Sequence, residues 1–238
     1  MIKAVLFDMD GILYDSERFY LEGNFELLRN LGYTGEQSAL LEGVGADMDA
    51  IYRLYLDLLD NRIDLTELKA AINAYYAVHP IPYKELMFPK VKETVEALKA
   101  EGYLLACCSS SPYDAVVSSL QAMGIASCFS FVESGERLKE TKPAPDIYLQ
   151  ALAALQLKPA ECVVYEDSDV GIAAGKNAGL FVIAREDHRF GQKQVQADLL
   201  VKDAEEMADW IRKENYHAGN HQNRRGKTAS RRGTDLRL

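Results

Sequence analysis

The feature that most constrains this chain is an alternation that begins at residue 89. Helix-patterned segments and short apolar runs follow one another, with turn residues between them. Residues 89–101 read as a helix stopped by Gly102, and 103–108 as a strand ending in Ser109-Ser110-Ser111. Pro112 opens a helix that runs to Met123, with Gly124 as its stop. Residues 128–132, 162–165, 180–184 and 198–201 read as further strands, and 145–155 and 168–178 as the helices among them. Residues 205–213 close the series with a helix that carries the single tryptophan, Trp210. The strands are continuous apolar runs, the pattern of strands buried on both faces. The alternation therefore predicts an α/β fold, a doubly wound, Rossmann-like parallel sheet.

The first strand of that sheet lies far upstream. Residues 2–7 are apolar with one break at Lys3, and the run stops at Asp8. Asp10 follows, and Gly11 stands where the chain turns. Between this strand and residue 84 only helical patterns occur. Residues 16–31 form one, with Gly32 as its stop. Thr34 with Gln37 resembles a capping box. Ile51, Leu54, Tyr55 and Leu58 fall on one helical face. Asp64 with Glu67 caps a third helix bearing Leu65, Leu68, Ala71, Ile72 and Tyr75. His79-Pro80-Ile81-Pro82 ends the helices as a hinge. The expected organisation is a core built from residues 1–15 and 84–214, an inserted α-helical domain at 16–83, and a basic, disordered tail at 215–238.

Charge and composition narrow the class. The net charge is −9 over 238 residues. The segment from His217 onward carries a local +5, which leaves about −14 on the rest and argues against a general nucleic-acid binder. No apolar run approaches the ~20 residues that span a bilayer, and no leader pattern precedes Asp8, so the cytoplasm is the expected location. Cys107, Cys108, Cys128 and Cys162 form no CxxC pair and lie in or beside apolar runs, as reduced, buried cysteines do.

Ligands of open α/β sheets bind beyond the carboxyl ends of the strands. By that rule Asp8 and Asp10, Ser109, and Glu166 with Asp167 converge on one crevice. Each has a plain structural explanation: an Asp/Gly turn, a helix entry, an N-cap. Together they place several carboxylates where they cannot all be ionised without a counter-charge. A hard cation with oxygen ligands, Mg²⁺ before Ca²⁺, meets that need. An EF-hand loop is excluded, because Gly11 comes two positions too early and no acid stands at its last position. Lys142, held between Pro143, Pro145 and a helix entry, is the candidate cation for an anionic substrate, or else a solvated loop lysine.

These residues carry a resemblance. Asp8-Met9-Asp10-Gly11-Ile12-Leu13-Tyr14-Asp15-Ser16-Glu17 resembles the first motif of the haloacid dehalogenase superfamily, Ser109 the second, Lys142-Pro143-Ala144-Pro145-Asp146 the third and Glu166-Asp167-Ser168-Asp169-Val170-Gly171-Ile172 the fourth. The helical insertion is similar to the cap of the branch that holds β-phosphoglucomutase and phosphoglycolate phosphatase. The resemblance implies Asp8 as nucleophile and Asp10 as general acid and base. It implies Mg²⁺ on Asp8, Glu166, Asp167 and the Asp10 carbonyl. Ser109, Ser110 and Lys142 would hold phosphoryl oxygens. An acid at position 10 also sets the chain apart from the dehalogenase branch.

Within that branch the cap separates phosphatase from mutase. The mutase resemblance requires a histidine where Tyr20 stands, beside Phe19, and cations in a loop that here reads Leu41-Glu42-Gly43-Val44-Gly45-Ala46-Asp47. The expectation is a phosphatase for a small phosphorylated metabolite, with Tyr20 facing a sugar or packing within the cap. A sugar phosphomutase is the alternative within the family, and a non-catalytic acidic receiver domain the alternative outside it. Against the receiver stand the helical insert and the presence of both Asp8 and Asp10. A monomer or weak dimer without nucleic-acid or membrane partners is expected.

Overall fold

The computed structural model describes residues 1–44 and 48–230, with side chains to residue 220. One sheet contains β1 (Ala4–Phe7), β2 (Leu104–Ser109), β3 (Phe131–Ser134), β4 (Cys162–Glu166), β5 (Phe181–Arg185) and β6 (Leu199–Val201). All neighbours are parallel, in the order β3-β2-β1-β4-β5-β6. β1 is central, with β2 on one side and β4 on the other. The chain reverses its winding there, which opens a crevice at the β1 carboxyl end.

The continuous apolar runs are explained by two separate cores. The insertion carries α1 (Ser16–Asn30), α2 (Met48–Leu58), α3 (Leu65–Val78) and the short α4 (Tyr83–Leu86). The sheet is covered by α5 (Val91–Ala100), α6 (Tyr113–Met123), α7 (Asp146–Leu155), α8 (Asp169–Asn177) and α9 (Ala204–Ser230). Val5, Phe7, Leu105, Cys107, Val163 and Tyr165 point to one face, against Val95, Leu120 and Met207 of α5, α6 and α9. Ala4, Leu6, Ala106, Cys108 and Val164 point to the other, against Tyr148, Ala151 and Ile172 of α7 and α8. The period-2 alternation of strands thus divides apolar side chains between two buried layers. All four cysteines are free and buried.

The insertion buries its own cluster, centred on Leu28, Tyr55, Leu59 and Leu68. Asp64 and Glu67 form the expected reciprocal cap, with bonds of 2.8 and 2.9 Å. The insertion joins the core through two crossing segments that pair at Tyr14 and Met87. There the Asp15 N–H donates to the Leu86 carbonyl and the Phe88 N–H to the Leu13 carbonyl.

Several expectations differ in detail. Thr34 caps nothing: Tyr33 folds its hydroxyl onto the Glu36 carbonyl, and a 3₁₀ segment starts later, at Gln37–Gly43. Pro112 and Pro145 precede their helices instead of opening them. The tail expected to be disordered from 215 continues α9 to Ser230, since no proline interrupts it. Asn215 belongs to the core side: its side chain accepts from the Ile2 N–H at 2.7 Å and donates to the Ile2 carbonyl at 2.9 Å. Residues 231–238 and the 45–47 part of the cap loop lie outside the described residues. Among the described residues no helix is long and apolar enough to cross a membrane.

Candidate active site

The central strand delivers Asp8 directly into the crevice. Its N–H donates to the Tyr165 carbonyl at the end of β4, and its side chain is buried. Lys142 reaches it from the loop between β3 and α7. The lysine Nζ lies 2.5 Å from Asp8 Oδ1 and 2.6 Å from Glu166 Oε1. A cis Lys142–Pro143 bond shapes this loop, and Asn177 at the end of α8 donates to the Pro143 carbonyl at 3.0 Å. Tyr148, in the first turn of α7, donates its hydroxyl to Glu166 Oε1 at 3.1 Å.

Glu166 is fully buried, and both its oxygens accept hydrogen bonds. Its Oε2 accepts from the Asp167 N–H, the Ser168 N–H and the Ser168 hydroxyl, at 2.9 to 3.1 Å. Ser168 also caps α8 by accepting from the Gly171 N–H. A Cβ on Gly171 would stand 1.6 Å from Glu166 Oε1, and one on Gly11 would stand 2.0 Å from Asp167 Oδ2. Both glycines are therefore required by the close approach of carboxylates, and Gly11 also adopts φ +72°.

Asp8, Glu166 and Asp167 offer oxygen atoms within 4.8 Å of one another, a set that could hold a cation. Burial, reinforced by Glu166, pushes the Asp167 carboxyl well above the usual range. Burial also raises Asp8, against the opposing pull of Lys142. For Lys142 burial disfavours the charge, but Asp8 and Glu166 outweigh it and keep the ammonium protonated. The cluster is thus short of positive charge, and hard oxygen donors of this kind suit Mg²⁺.

Asp10 sits beside this cluster in a cradle of hydroxyls. Tyr14 donates to Oδ1 at 2.5 Å, Ser111 to Oδ2 at 2.9 Å, and Ser109 to Oδ2 at 3.3 Å. Ser109 Oγ in turn accepts from the Ser111 N–H. Ser110, between them, is exposed. Tyr20 is 39% exposed and makes edge contacts with Phe19 and Tyr76. Sequence reasoning had not singled out Ser111, Tyr14 or Tyr148. A hydroxyl-bearing aromatic in the first turn after the stiff Lys142 loop was the available signal for Tyr148. Ser111 and Tyr14 gave none, because neither lies on a periodic element.

A buried carboxylate paired with a lysine thus stands at the switch point of a parallel sheet that carries an inserted helical cap. The chain belongs to the haloacid dehalogenase-like hydrolases, whose family model matches residues 5–185. It is 30% identical over 183 residues to the phosphorylated carbohydrates phosphatase of Thermotoga maritima, covering 75% of this chain and 82% of that one. It is 29% identical over 209 residues to hexitol phosphatase B of Escherichia coli K12, covering 84% and 94%. The solved β-phosphoglucomutase of Clostridium difficile shares the fold, with a TM-score of 0.68, 21% identity, and coverage of 92% and 98%.

Proposed function

We propose that this enzyme hydrolyses small phosphomonoesters, with sugar and sugar-alcohol phosphates as substrates, through a phosphoaspartate on Asp8. The observation that carries the reading is Asp8 itself, held by Lys142 at a crevice where Asp10 stands ready in its hydroxyl cradle. The names of the two relatives support the substrate class. Asp8 attacks phosphorus as the ester P–O bond breaks, and Asp10 gives a proton to the departing oxygen. Asp10 then takes a proton from the water that attacks phosphorus, and inorganic phosphate leaves. Ser109 and Lys142 hold the phosphoryl oxygens throughout, as phosphoryl transfer demands positioning and charge neutralisation above all.

The residues present fit Mg²⁺: the carboxylates of Asp8, Glu166 and Asp167 and the Asp10 carbonyl would hold it. When bound, the ion supplies neutralising charge beside the phosphoryl group. Tyr20, exposed at the cap and braced by Phe19 and Tyr76, offers an aromatic face to the sugar.

The test is phosphate release from a metabolite panel with Mg²⁺, for wild type and Asp8→Asn. Release by wild type alone is expected; equal inactivity of both across the panel would sink the reading. Incubation with β-glucose 1-phosphate addresses the mutase alternative, which glucose 6-phosphate formed without free phosphate would establish.

A further inference from the structure

Tyr14 lies within the nucleophile loop, yet the chemistry above leaves it without a role. The loop from Met9 to Asp15 is tightly closed. The Leu13 N–H donates to the Met9 carbonyl at 2.8 Å and the Gly11 N–H to the Tyr14 carbonyl at 3.1 Å. This closure folds residue 14 back toward residue 10. The Tyr14 ring is 2% exposed and stands edge-on to Tyr83, with centroids 5.1 Å apart. The main chain of Tyr14 pairs with Met87 across the hinge. The ring is buried against Tyr83 while the main chain is held at Met87, and the hydroxyl has a defined aim, Asp10 Oδ1 at 2.5 Å.

The two oxygens of Asp10 are held differently. Oδ1 has the buried phenol. Oδ2 has the hydroxyls of Ser109 and Ser111, at 3.3 and 2.9 Å, at the carboxyl end of β2 where phosphoryl oxygens are expected to bind. A phosphoryl group that recruits Ser109 removes a donor from Oδ2 and leaves the phenol bond intact.

We infer that Tyr14 is a positioning residue: its buried hydroxyl anchors Asp10 Oδ1 and thereby turns Oδ2 toward the departing ester oxygen. This rests on the acid/base role of Asp10 proposed above. Oδ2 loses its proton to the leaving oxygen as the P–O bond breaks, and regains one from water in the hydrolysis of the phosphoaspartate. A freely rotating carboxyl would present the wrong oxygen, or none, for much of the time.

The experiment uses leaving groups that differ in their need for a proton. p-Nitrophenolate departs without one; a hexose or hexitol alkoxide does not. The kcat/KM value reports the phosphorylation half-reaction for both. Tyr14→Phe is expected to lower kcat/KM for a hexitol phosphate roughly 10-fold while leaving p-nitrophenyl phosphate within about 2-fold. The unchanged p-nitrophenyl phosphate rate also shows that the variant is folded. Asp10→Asn serves as reference and should show the same split, only larger. Equal losses on both substrates, or no loss on either, in Tyr14→Phe would overturn the role of Tyr14. An Asp10→Asn variant with no split would overturn the acid/base reading beneath it.

Discussion

Arg189 lays both terminal nitrogens on the Asp15 carboxylate, at 2.7 and 3.1 Å, across 174 residues of sequence. Asp15 is the last residue before the helical insertion. The same arginine also binds Asp187. Asp187 accepts from Arg185 at 2.5 Å, and Arg185 Nε donates to the Gly11 carbonyl at 2.7 Å. One chain of charged groups therefore ties the hinge to the loop that follows Asp8. Arg189→Ala should leave the buried Asp15 carboxylate without its fork and lower stability by about 1–2 kcal/mol, discounted because Arg189 itself is exposed. Urea unfolding at pH 7 measures it; an unchanged midpoint would show that the pair is only a surface contact.

The same network fixes a pH response. Burial alone would raise the Asp187 carboxyl, but its bonds to Arg189 and Arg185 hold it below the ordinary carboxylate range. A folded value below the unfolded one stabilises the protein above about pH 4, and that contribution fades as pH falls toward the folded value. The stability difference between wild type and Asp187→Asn should be full at pH 6 and shrink progressively below pH 4. A difference that grows on acidification would contradict the sign.

The acidic cluster predicts a metal response in the folded protein, independent of turnover. Mg²⁺ at about 100-fold over its dissociation constant should add roughly 2.7 kcal/mol of stability if it binds the native state alone. Asp167→Asn removes one donor and should reduce that gain. Thermal melts with Mg²⁺ and with a chelator decide the matter, and equal melting temperatures in both would argue against a cation there.

Gly171 provides a steric test of the site. A methyl group at this position meets Glu166 Oε1, which also binds Lys142 and Tyr148. Gly171→Ala must displace the carboxylate and break that shared bond set. The loss expected is about 2–4 kcal/mol, with activity falling by at least ~10-fold. Chemical denaturation and phosphate release read the two effects; a stable and fully active variant would mean that Glu166 is not fixed where the structure has it.

How much of this was legible in the sequence depends on the range over which each feature is decided. β1 and β4 were readable because burial on both faces writes an uninterrupted apolar run. Asp8 and Glu166 were readable because they end such runs. Asp64 and Glu67 were readable because a helix cap is a local bond pair. Arg189 was not, since nothing near it in the chain hints at Asp15. Tyr14 is four residues from Asp10, yet the turn that brings them together has no period to detect. Asn215 looked like the start of a polar tail, because its partner is the main chain of Ile2. The pairing that Thr34 and Gln37 suggested fails because the buried Tyr33 ring takes the turn for itself.

The central place of β1 has a consequence for biosynthesis. This strand is made before its partners, which lie at Leu104–Ser109 and Cys162–Glu166, and the clasp on Ile2 waits for Asn215. Contacts so distant in sequence close late. The nascent chain therefore carries an unpaired apolar strand at least until Leu104–Ser109 is made, while the helices of residues 16–78 can bury their own cluster as soon as they emerge. The insertion folds early beside a strand that must wait, and the carboxylate cluster around Asp8 is complete only once β4 has paired with β1.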